Sequence, residues 1–137
     1  MASASDGVSQ LAAAIDTIEE TYEYMLAYAA QGRRVEEDGS SSSIREYLNK
    51  SVVALDLVCT STPEMAGISG QKAMADAEPF LAVLRTDAKA AQAAIKFVLS
   101  QHSIGSQIVD NLNASMHVRA LLTDLFLLDE ALKISGL

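Results

Sequence analysis

The sequence predicts an all-α protein: an antiparallel, up-down four-helix bundle whose third helix is kinked or broken near Pro79. Three observations carry this. Apolar residues recur at alternating steps of three and four along four segments, the spacing that keeps one seam of each helix facing its neighbours. Alanine and leucine, both good helix formers, dominate the apolar set, and proline occurs only twice. No segment alternates apolar and polar residues with period two for long enough to make a strand.

The first helix is expected over about 6–31. Val8, Leu11, Ile15, Ile18, Tyr22, Met25 and Ala29 form its seam. Ser5 is a candidate N-cap, Asp6 suits the positive end of the helix dipole, and Gly32 can end the helix in a left-handed cap. Residues 32–43, with a charge cluster, Gly39 and four serines, read as a mobile surface loop. The second helix, about 44–60, opens on a capping box, Ser43-Ile44-Arg45-Glu46. Its seam is Ile44, Leu48, Val52, Leu55 and Cys59, and it should stop before Thr62-Pro63, because the residue before proline avoids helical angles. The connection from 62 to 70 has room for one helical turn.

The third helix, about 71–101, carries Met74, Ala77, Leu81, Leu84, Ala88, Ala91, Ile95 and Val98 in phase through Pro79. A kink fits that continuity better than a break. The fourth helix, about 106–134, follows the turn at His102–Gly105. Its core face is Leu112, Val118, Leu121, Leu122, Leu125, Leu128 and Leu132, and Gly136 with Leu137 suits a C-terminal cap. Together these make one helical domain spanning 1–137, a length that can bury a core without disulfides or metals.

Half the residues are apolar and a fifth are charged, the balance of a chain that folds. The net charge is −8, and no basic run exceeds Arg33-Arg34. A nucleic-acid partner is not expected, since binding needs a basic stripe to replace phosphate counterions. An anionic membrane surface is disfavoured on the same ground. No apolar run exceeds seven residues, against the ~18 that span a bilayer. Met1 to Gly7 does not resemble a signal peptide, and Cys59 is the single cysteine. These features predict a cytoplasmic protein.

The search for chemistry gives no catalytic residue, no metal site and no cofactor. A di-iron bundle needs Glu-x-x-His pairs, whereas His102 and His117 follow Leu99 and Ala114 at that spacing. Both histidines read as polar residues at a helix end and a helix flank. Cys59, on an apolar face near a helix C-terminus, reads as a small core hydrophobe and not as a reactive thiolate. The stretch from Gly67 to Lys72 lacks the spacing of a phosphate-binding loop.

What remains is surplus surface. The third helix carries a second apolar row, Phe80, Val83, Ala90, Ala94 and Phe97, and the fourth adds Phe126 and Leu127. Leu127 points away from Leu125, so a core seam does not account for it. Tyr24 and Tyr28 flank the seam of the first helix, and tyrosine is favoured at interfaces. Asp16, Glu19, Glu20 and Glu23 form an acidic strip on that helix, with no base before Arg33. The expected function is therefore non-enzymatic: a helical adaptor, assembly factor or chaperone-like subunit. It would act as a homodimer or with a protein partner, through Phe80, Phe97, Phe126, Leu127, Tyr24 and Tyr28 and the acidic strip. The alternative is a bundle that binds a small ligand or cofactor in a pocket between the third and fourth helices.

Overall fold

The structure, a computed structural model, describes residues 4–36 and 43–134. Of these, 79% are helical and none lies in a strand. There are five helices in the described residues: α1 (Ala4–Ala30), α2 (Ile44–Val58), α3 (Gln71–Leu99), α4 (Ser106–Ala114) and α5 (Met116–Ile134). The single long helix expected over 106–134 is thus two. The chain leaves helical geometry at Ser115, where φ is −57° and ψ is 132°. The Ser115 side chain competes with helical hydrogen bonding, its hydroxyl accepting from the His117 amide at 3.3 Å to start α5.

α1 packs on α2 and α4, and α3 packs on α2 and α5. Neighbours run antiparallel. Thr21 meets the carbonyl of Tyr47 while Ala14 lies by Ala54, and Arg45 reaches Leu99 while Arg85 reaches Ser61. One connected core fills the space between, with Leu48 and Leu55 from α2, Leu81 and Leu84 from α3, and Leu125 from α5 all fully buried.

The seams of α3 and α5 fall where the apolar spacing puts them, from Leu81 to Val98 and from Val118 to Leu128. α3 continues unbroken through Pro79, which is solvent-exposed, as is Ala75, whose carbonyl loses its usual partner there. In α1 the seam is rotated toward α2. Thr21 and Tyr28 are buried where Tyr22 and Ala29 were expected, and Val8 is left largely exposed. In α2, Ser51 and Val58 take the places expected for Val52 and Cys59.

The caps follow suit. Ser43 accepts from the Glu46 amide at 3.1 Å, while the Glu46 carboxylate pairs with Lys50. Gly32 has φ 67°, the left-handed geometry that ends α1. Ser5 lies inside α1 and not before it. The expected cap at Gly136–Leu137 and loop residues 37–42 lie outside the described residues.

Residues 32–36, expected within a mobile loop, are tied down. Arg45 donates to both Glu36 carboxylate oxygens and to the carbonyls of Leu99 and Gln101, so one guanidinium closes the C-terminus of α3 and holds the segment. The Ser106 amide donates to the Arg33 carbonyl and the Arg33 amide to the Ser106 hydroxyl, both at 2.8 Å. The approach is so close that a Cβ on Gly105 would lie 2.8 Å from the Arg34 carbonyl oxygen.

Candidate functional site

The residues expected at an interface divide into three groups. Tyr28 is buried and its hydroxyl donates to the Ile104 carbonyl at 2.5 Å. It anchors the α3–α4 turn and offers nothing to a partner, which removes it from the interface set. Tyr24 is half-buried, stacked on Tyr47 with ring centroids 3.9 Å apart, and Phe80 is half-buried against the core. Phe97 (66% exposed), Leu127 (58%) and Phe126 (52%) are open to solvent, and so is Val83 (51%).

Phe97 and Val83 lie on α3 and Leu127 on α5, the two helices of one seam, and their register can be fixed from two contacts. The Asp87 side chain meets that of Asp124, and Ile95 shares a small cavity with Val118, Leu121 and Leu122. Residue numbers fall on α3 as they rise on α5. Val83 lies one turn from Asp87, and Leu127 lies one turn from Asp124 on the same flank. The antiparallel register therefore brings Val83 and Leu127 to the same level at one end of the seam. At the other end it sets Phe97 toward Met116, which is also exposed. Phe126 is about 100° round α5 from Leu127, on the opposite flank from Asp124. It faces the α1 side, where Asp129 and Leu132 line a cleft with Ile15 and Asp16.

Between the two apolar ends sits the carboxyl pair. Asp124 is pushed up to about 7, first by burial and then by the hydrogen bond and charge of Asp87. Its Oδ2 is buried and receives no hydrogen bond from any N–H or hydroxyl among the described residues. The sequence reading missed this pair, because the only signal is an acid one turn from core positions on each of two helices.

The acidic strip is three residues on one outer face and one turned aside. Asp16, Glu20 and Glu23 are exposed, while Glu19 is half-buried and has a partner of its own. Cys59 is half-buried, and burial raises its thiol above the ordinary value, partly offset by Lys89. His102 and His117 are exposed, and no three His, Cys, Asp or Glu side chains among the described residues are grouped to hold a metal ion.

Among the cavities, the one lined jointly by α3 and α5, with α1 and α2, measures about 20 Å3. That is room for a single water. A polar cleft of about 640 Å3 lies where α1 ends and α4 begins, lined by Arg33, Arg34, Gln101, Gln107 and Asp110. No helix among the described residues is long and apolar enough to cross a membrane. Compared with known proteins, the chain matches no family model, no curated protein and no solved structure.

Proposed function

We infer that the protein is a non-enzymatic helical interaction protein that associates, with itself or with another protein, through the outer margin of the α3–α5 seam. The observation that carries this reading is Leu127. It is 58% exposed on the side of α5 facing away from the core, and the register brings a second exposed apolar side chain, Val83, to the same level on α3. Scattered surface leucines are ordinary, whereas contiguous apolar patches mark contacts with other chains. The exposed face of Phe97 extends the same margin. The acidic face of α1, with Asp16, Glu20 and Glu23, would steer a basic partner toward the molecule and suppress acidic ones. On this reading α4 and α5 together serve as the fourth element of a helical bundle.

A small-ligand role finds less support. The cavity touching both α3 and α5 is too small for one, and the larger hollows, the cleft by Arg33 and Arg34 and the groove between α1 and α2, lie away from that pair. That cleft is lined by side chains reaching in from open solvent, without the apolar enclosure typical of ligand pockets.

Sedimentation velocity over a hundredfold range of concentration tests the interaction reading, coupled with hydrogen exchange on each species. The expected result is a dimer, or a complex recovered from the source lysate, with added protection over residues 80–97 and 120–131. A protein that stays monomeric throughout and recovers no partner contradicts it.

A further inference from the structure

A second surface, on the opposite pair of helices, has the shape and charge of a docking groove. Gln10, Ala13, Ala14 and Thr17 of α1 face Lys50, Val53, Ala54 and Leu57 of α2 across an open groove of about 560 Å3. Three alanines make its floor, so the two helices approach closely and leave a shallow trough above them. Its α2 wall is apolar: Val53 is 70% exposed, and Leu57, one turn on, is half-buried. The eight residues from Gln10 to Thr17 rise ~10 Å along the axis, enough to seat about two turns of another helix.

Apart from Lys50, which lines it, the charged side chains that flank the trough are acidic. On the α1 side, Asp16 and Glu20 are each three residues beyond the groove-lining Ala13 and Thr17, and both are exposed, as is Glu23 one turn further. α1 contains no lysine or arginine. On the α2 side the only base lining the groove is Lys50, and its ammonium is engaged by Glu46 at 3.3 Å. An occupant must therefore bring apolar side chains for the trough and positive charge for the α1 rim.

We propose that the α1–α2 groove docks a basic amphipathic helix of a partner protein, with small apolar anchors over Ala13, Ala14 and Ala54 and a Lys or Arg side chain against Glu20. Helix-in-groove recognition reads such a segment through anchors spaced three and four apart. A second copy of this chain does not fit. Two-fold pairing across the groove would set the acidic faces of two α1 helices against each other, and this chain's basic residues are outnumbered 18 to 10 by acids. The proposal rests on the interaction reading above but names a different face, so the two can fail separately.

The test uses the full chain, isotopically labelled, titrated with a synthetic 18-residue helix bearing leucine and alanine on one face and lysine and arginine on its flanks. A second peptide, identical but with glutamates for the basic residues, serves as the comparison. The expected result is that amide shifts cluster on residues 10–20 and 50–57 with the basic peptide and are absent with the acidic one. Val53→Glu, at an exposed site that leaves the fold intact, should weaken binding roughly tenfold, because it puts a carboxylate under the apolar face. Glu20→Lys should weaken it several-fold and flatten its salt dependence. The proposal is overturned by shifts on the α3–α5 margin instead, by equal binding of the acidic peptide, by an unaffected Val53→Glu, or by no binding at millimolar peptide. Loss of the groove with the α3–α5 association intact would leave the interaction reading standing. The reverse pattern would leave only the groove.

Discussion

The seam between α1 and α2 and the seam between α3 and α5 solve the same packing problem with opposite chemistry. Between α1 and α2, alanines at 14 and 54 allow close approach, Tyr24 stacks on Tyr47, and the buried Thr21 hydroxyl donates to the Thr17 carbonyl at 2.8 Å. Between α3 and α5, two carboxyls face each other, and apolar side chains that could have covered them point outward instead. The first seam is locally consistent at every level. The second carries a like-charge contact and an exposed apolar margin together, and departures of that kind concentrate where function has a claim on the surface. That contrast is why the α3–α5 margin is the leading candidate for an interface.

The largest effects should come from the core that both seams share. Leu84→Ala or Leu125→Ala should each cost about 2–5 kcal/mol in urea unfolding, by losing buried methyl groups and leaving a cavity. Both side chains are fully buried. A cost below about 0.5 kcal/mol at either position would place it on the surface and undo the assignment of the α3–α5 seam.

Tyr28→Phe should come next, at about 1–3 kcal/mol, because it leaves the buried Ile104 carbonyl without its donor. This substitution probes the α1 side of the molecule, where polar groups are paired. A neutral Tyr28→Phe would mean that water replaces the hydroxyl and that the contrast between the two seams is overstated.

The seam positions of α3 and α5 were readable from spacing alone, because Leu81, Leu84, Leu121 and Leu125 have no polar atoms to satisfy. Thr21 and Tyr28 were not. Their burial depends on acceptors at Thr17 and Ile104, and the second of these lies 76 residues away in sequence. The break at Ser115 was missed because it uses neither glycine nor proline. Residues 32–36 read as loose because Arg45 and Glu36 look like ordinary surface charges until α3 ends beside them. Of the interface residues, Phe97, Phe126 and Leu127 were legible as surplus to the seams. The Asp87–Asp124 contact was not, since no local pattern pairs residues on different helices.

That contact predicts a pH dependence. Asp124 is raised from 3.8 to about 7 in the folded protein, so between those values the folded state holds a proton that the unfolded chain releases. The stabilisation is fully present below about 3.8 and is lost as pH rises through about 7. Asp124→Asn should flatten the curve from pH 5 to 8 and be more stable than wild type at pH 8. The gain should be about 1 kcal/mol once solvent screening of this half-exposed pair is allowed for. Wild-type stability that rises from pH 6 to 8 would contradict the carboxyl pair.

The smallest effect on stability should accompany the largest effect on association. Leu127 is exposed and outside the core, so Leu127→Glu should leave the unfolding midpoint within about 0.5 kcal/mol of wild type. At an interface the same carboxylate would be buried without a partner and would dissociate the complex. Light scattering of wild type and Leu127→Glu at matched concentrations therefore tests the central claim most directly. The account predicts an assembled wild type and a folded, dissociated mutant. A mutant that unfolds, or one that keeps the wild-type mass, would show that the outer face of α5 is not where this protein meets its partner.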